Sequence, residues 1–84
     1  MSELTSMKNI GDAIATKLKS VEIDTPEKLC ALGSREAFFR LKARHPNVCL
    51  VHLYALEGAV SDMDYNRLPE KTKKDLQVFC HSIA

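Results

Sequence analysis

Tryptophan is missing from this 84-residue chain, and three Phe and two Tyr are its whole aromatic complement. Any core must therefore rest mainly on Leu, Ile, Val and Ala. A chain of this length buries only roughly 60 to 65% of its unfolded surface, so it holds one core and meets a large partner on its outside. Charge of one sign is also lacking: twelve basic and eleven acidic residues leave a net +1. Broad electrostatic wrapping of nucleic acid is excluded, and locally focused contact is not.

Three cysteines, Cys30, Cys49 and Cys80, have no paired spacing. That excludes a complete disulfide framework and argues against a zinc pattern. Their apolar neighbours predict buried or semi-buried packing positions. The richest apolar run, residues 48–56, is broken by His52 and too short to span a bilayer. No apolar stretch follows a basic start, so no secretory signal and no membrane partner are expected, and the location read is cytoplasmic. Phosphate-loop and dinucleotide motifs are absent, and His45, His52 and His81 stand in no metal or catalytic spacing. The expectation is a non-enzyme without cofactor or metal.

What is present reads as helix. Ser2 is placed to cap a first helix ending near Lys8, with Leu4 and Met7 on one face. Asn9-Ile10-Gly11 breaks it, and Asp12 is placed to cap a second helix striped by Ile14, Leu18 and Val21. Thr25-Pro26-Glu27 combines a cap oxygen, a proline at the first helical position and an acid near the positive helix end. That helix should stop at Gly33, with Ser34 capping the next one and His45-Pro46 ending it. Residues 48–60 predict the longest helix and the centre of the core, with Gly58 permitting a close crossing. Pro69-Glu70 starts a last helix whose inward face is Leu76, Phe79, Cys80 and Ile83. The expected fold is an all-α, compact five- or six-helix domain.

An internal echo runs at an offset of 22 residues: Met7, Ile10, Gly11 and Ala15 correspond to Leu29, Leu32, Gly33 and Ala37. Each unit reads as helix, apolar residue, glycine turn and helix, which is helix-hairpin-helix-like. Such a turn presents free amides of the second helix to a phosphate, aided by the helix dipole. Gly11 and Ala13, with Lys8 and Lys17, are the first candidate contact to a DNA backbone. Gly33, Arg35 and Arg40 are the second. Asp12 and Glu36 set a negative charge beside each, and the turns equally suit a purely structural role. The clusters Arg35, Arg40, Lys42, Arg44 and Lys71, Lys73, Lys74 read either as basic footprints or as solvated helix faces.

The hairpins, followed by Cys49-Leu50-Val51-His52-Leu53-Tyr54-Ala55-Leu56-Glu57-Gly58-Ala59-Val60 and Tyr65-Asn66-Arg67-Leu68-Pro69, resemble the C-terminal domain of the TfoX/Sxy family. Tyr65 stands where that family commonly has tryptophan. The resemblance makes residues 1–84 one domain, in standalone form without the N-terminal domain that family proteins often carry. It implies a bacterial cytoplasmic protein, related to regulators of competence for DNA uptake, acting through duplex DNA or a transcription-regulatory protein. The function expected is a regulatory interaction domain touching duplex DNA nonspecifically through hairpin amides. The alternative is a protein adaptor or homo-oligomerisation module without DNA contact.

Overall fold

Apolar residues one helical turn apart, such as Leu50, Leu53 and Leu56, give this chain its buried faces, and the computed structural model describes residues 4–83. A 3-10 turn, Leu4–Ser6, precedes α1 (Asp12–Ser20), α2 (Pro26–Arg44) and α3 (Leu50–Ser61). A second 3-10 turn, Tyr65–Arg67, leads into α4 (Glu70–Ile83). The described residues thus form four helices and two short turns, which corrects the expected count of five or six.

Two local causes account for the difference. The first expected helix is only the Leu4–Ser6 turn, because Asn9 takes φ 69° and reverses the chain before helix can build. Its expected cap, Ser2, lies outside the described residues. The second cause is Gly33, which interrupts the helical backbone where expected but does not separate two elements. It adopts φ 84° and ψ 164°, which is not helical backbone, so α2 consists of two helical stretches joined across a kink at Gly33 and counts as one element. The expected longest helix, α3 at 12 residues, is exceeded by α4 at 14 and by α2 at 19 across its kink. The second helix-hairpin-helix-like unit is accordingly a pair of helical stretches meeting at the Gly33 kink within α2.

The start of α2 follows from its residues: Thr25 Oγ1 accepts from the Lys28 N–H at 3.2 Å, and Pro26 occupies the first helical position. The central place given to α3 also holds. Leu53 and Leu56 are fully buried, and Ala55, Gly58 and Ala59 are buried small residues that let neighbours approach. α3 packs against α2, α4 and the Tyr65–Arg67 turn. Phe38, Leu18, Ile23, Leu29, Leu41 and Leu76 are fully buried in the same core. α3 starts at Leu50, not directly after Asn47, with Cys49 as its cap residue. It ends in a Schellman arrangement: Asp62 is left-handed at φ 55°, and the Met63 N–H reaches the Gly58 carbonyl at 2.9 Å.

Candidate functional site

The first hairpin turns on Asn9 rather than on Gly11. Asn tolerates the left-handed region, and here its side chain is used as well: Nδ2 donates to the Met63 carbonyl at 3.0 Å, and Oδ1 accepts from the Tyr65 N–H at 3.2 Å. Gly58 makes room for this clasp, since a Cβ there would stand 2.6 Å from the Met63 oxygen and overlap Asn9 Nδ2. Ile10 is buried beside the clasp. The turn is thereby fixed on the core.

Gly11 follows in ordinary extended backbone, φ −94° and ψ −178°, as the residue preceding α1. Asp12 does not cap α1 but is its first residue, and no side chain caps this end. The first bond of the helix runs from the Ala15 N–H to the Gly11 carbonyl at 2.9 Å. The amides of Asp12, Ala13 and Ile14 consequently have no acceptor among the described residues. Gly11, Asp12, Ala13 and Lys8 are exposed, and Lys17 is half-buried one turn further on.

The second hairpin is built differently. Ser34 does not spend its hydroxyl on a cap: it is buried, and its Oγ donates to Glu57 Oε1 at 2.5 Å. Glu57 Oε2 accepts in turn from Ser61 Oγ at 3.2 Å. Arg40 is paired with Glu36 at 3.1 Å, so the acid beside the second turn neutralises one of its candidate cations. Arg35 is exposed and Gly33 half-buried. Lys42 is spent on the carbonyls of Pro46 and Val48, at 3.0 and 3.1 Å, where it braces the loop before α3. Arg44 lines a shallow groove with Ser20, Val21, Glu22 and Ala43. The basic cluster of α2 is therefore dispersed over separate tasks.

Cysteine placement corrects the packing expectation. Cys30 and Cys49 are exposed and only Cys80 is half-buried: Cys30, inside α2, points about 100° away from its apolar sequence neighbours, and Cys49 precedes α3 as its cap residue. Cys49 lies beside His52, with Sγ to Nδ1 at 3.5 Å and the Cys49 N–H donating to the same nitrogen at 3.1 Å. Burial, helped by the charge of Lys17, holds the His52 imidazole below its usual range. Elsewhere, the exposed Lys28 ammonium hydrogen-bonds Asp24 at 2.8 Å and lowers that carboxyl. Spacing alone had paired His52 with nothing; the three-residue step from Cys49 to the third position of a helix was the available signal. Likewise Asn9 and Gly58 were each visible as unusual residues, but their meeting across 49 positions was not.

Among the described residues no group of three or more His, Cys, Asp or Glu side chains is arranged to hold a metal. No described helix is long and apolar enough to cross a membrane.

Comparison with known proteins follows the fold closely. The family model described as the TfoX C-terminal domain matches residues 1–80. A crystal structure of an uncharacterized protein from Listeria monocytogenes, triclinic form, is 38% identical with a TM-score of 0.95, covering 96% of this chain and 92% of that one. A tetragonal-form structure of a protein of unknown function from the same organism is also 38% identical, with a TM-score of 0.94, covering 96% of this chain and all of that one. Among curated proteins there is no match.

Proposed function

The chain belongs to the TfoX C-terminal domain family, a family of non-catalytic regulatory domains, and from that premise we propose that it regulates by touching duplex DNA nonspecifically at the start of α1. The supporting observation is the bare helix start. Three backbone amides, on Asp12, Ala13 and Ile14, converge without an acceptor among the described residues at an exposed turn flanked by Lys8 and Lys17. Such a group suits a phosphate oxygen, and the dipole of α1 adds attraction. Asp12 opposes it, which sets the contact at weak, register-free binding. The partner places the domain in the bacterial cytoplasm, in a regulatory role of the kind its family serves in DNA uptake.

The test is a titration of the folded protein with a short duplex across salt concentrations. Saturable binding at low ionic strength is expected, with a log–log salt slope of about −2 for two neutralised phosphates. Lys17→Met and Lys8→Ala should each flatten that slope by about one. Absence of saturable binding with the fold intact overturns direct DNA contact.

A second reading has its own observation: Phe39, Val51 and Val78 are 52%, 56% and 70% exposed. Large apolar side chains left in water suit a protein adaptor or a homo-oligomer. Light scattering across protein concentration distinguishes it, since a monomer at every concentration removes the oligomer.

A further inference from the structure

Histidine is the side chain whose ordinary titration lies nearest neutral pH, and the three in this chain stand in three different hydrogen-bond roles. His52 is an acceptor: the Cys49 N–H at the entry to α3 donates to its Nδ1 at 3.1 Å, which puts the one proton of the neutral ring on Nε2. His45 is a donor. Ser20 Oγ gives its only hydrogen to the Lys17 carbonyl at 2.6 Å, so the 2.8 Å bond between Ser20 Oγ and His45 Nε2 takes its hydrogen from the ring. His81 is exposed in the last turn of α4, with no side-chain partner among the described residues. A second ring proton leaves the His45 bond in place. On His52 it occupies Nδ1 and abolishes the lone pair that the Cys49 N–H uses.

Little else holds the start of α3. Its first turn carries no acidic side chain, and an imidazolium there sets a positive charge at the positive end of the helix dipole. Lys17 of α1 adds a repulsive charge, and burial together with that charge keeps the ring neutral to below its usual range. The Cys49 sulfur, 3.5 Å from Nδ1, is only a weak acceptor for the new N–H. Glu57, further along the same helix, has its two carboxylate oxygens engaged by Ser34 and Ser61. No charged group of α2, α4 or the Tyr65–Arg67 turn acts on the ring among the described residues. The segment has fixed ends: the Lys42 ammonium holds the Val48 carbonyl at 3.1 Å, and Leu53 is fully buried.

We propose that the first turn of α3 is a proton-operated latch: one proton taken up at His52 releases the Cys49 amide and loosens residues 49–52, while the Ser20–His45 bond stays made. The latch is independent of DNA contact at α1. The turn is closed above the ordinary histidine value of about 6.5 and opens as pH falls through the lower folded value of His52. Opening frees Leu50, half-buried against the core, next to exposed Val51.

The test is an NMR titration of the intact protein from neutral pH to about pH 5. Imidazole nitrogen signals report the ring protons, and amide hydrogen exchange, corrected for its intrinsic pH dependence, reports the turn. At neutral pH the His52 proton should sit on Nε2. Protection of the Cys49, His52 and Leu53 amides should then fall about fivefold with the same midpoint as the His52 ring, as the loss of one capping interaction requires. His52→Gln keeps an acceptor at this capping position but takes up no proton, and should remove the pH dependence. A His52 proton on Nδ1 at neutral pH overturns the proposal, as does unchanged protection while the ring titrates, and both are read on the unaltered protein. A loss of protection that persists in folded His52→Gln assigns the opening to another group and overturns it equally.

Discussion

The two hairpins share a sequence pattern and differ in how α3 holds them. Glu57 takes the second hairpin by hydrogen-bonding buried Ser34. Its neighbour Gly58 takes the first by having no side chain, so that Asn9 can reach the Met63 carbonyl and the Tyr65 N–H. One hairpin is gripped at the residue that begins its second half, and the other one turn earlier. The consequence is at the helix start: the second hairpin spends its Ser34 inward, while the first leaves the amides of Asp12, Ala13 and Ile14 without an acceptor among the described residues. Repeated sequence has produced one scaffold and one open helix end.

The comparison breaks most severely at Gly58. Gly58→Ala drives a Cβ into the Met63 carbonyl and the Asn9 amide, and should cost about 2 to 3 kcal/mol in denaturant unfolding through overpacking and loss of the clasp. Next comes the contrast between the equivalent glycines. Gly33 sits at φ 84° and ψ 164°, a region nearly closed to other residues, so Gly33→Ala should cost about 2 kcal/mol. Gly11 is extended with open space around it, and Gly11→Ala should change stability by no more than about 0.5 kcal/mol. Equal losses at the two glycines would mean that the hairpins are alike after all.

A third step compares the residues after those glycines. Ser34→Ala removes a bond to a carboxylate and should cost about 1.5 kcal/mol, whereas Asp12→Ala, whose side chain has no partner among the described residues, should stay within about 0.5 kcal/mol. The smallest effect is on pH. The fold lowers the His52 pKa, so its contribution is complete above the ordinary value of about 6.5 and is lost as pH falls through the lower folded value. The melting temperature should therefore drop between pH 7 and pH 5, and drop less in His52→Gln.

Much of this fold was legible because its signals are local. Thr25-Pro26, His45-Pro46 and Pro69-Glu70 set helix boundaries through φ restriction and cap chemistry within a few residues. The helix count was not legible, since a glycine that stops a helix and one that kinks it look the same in sequence. Candidate contacts fared unevenly for a similar reason. Lys8, Gly11 and Ala13 lie in one stretch of chain and emerge exposed together. Arg40 and Lys42 depend on which acids and carbonyls tertiary packing brings near them, and both are engaged elsewhere.

The asymmetry between the hairpins is tested most directly by following backbone amide chemical shifts during titration with a short DNA duplex at low salt. The shifts should concentrate on residues 11–15 and leave residues 33–37 nearly unmoved, and Asp12→Asn should tighten binding by removing the charge beside the amides. Equal shifts at both hairpins, or shifts confined to other surfaces, would contradict it.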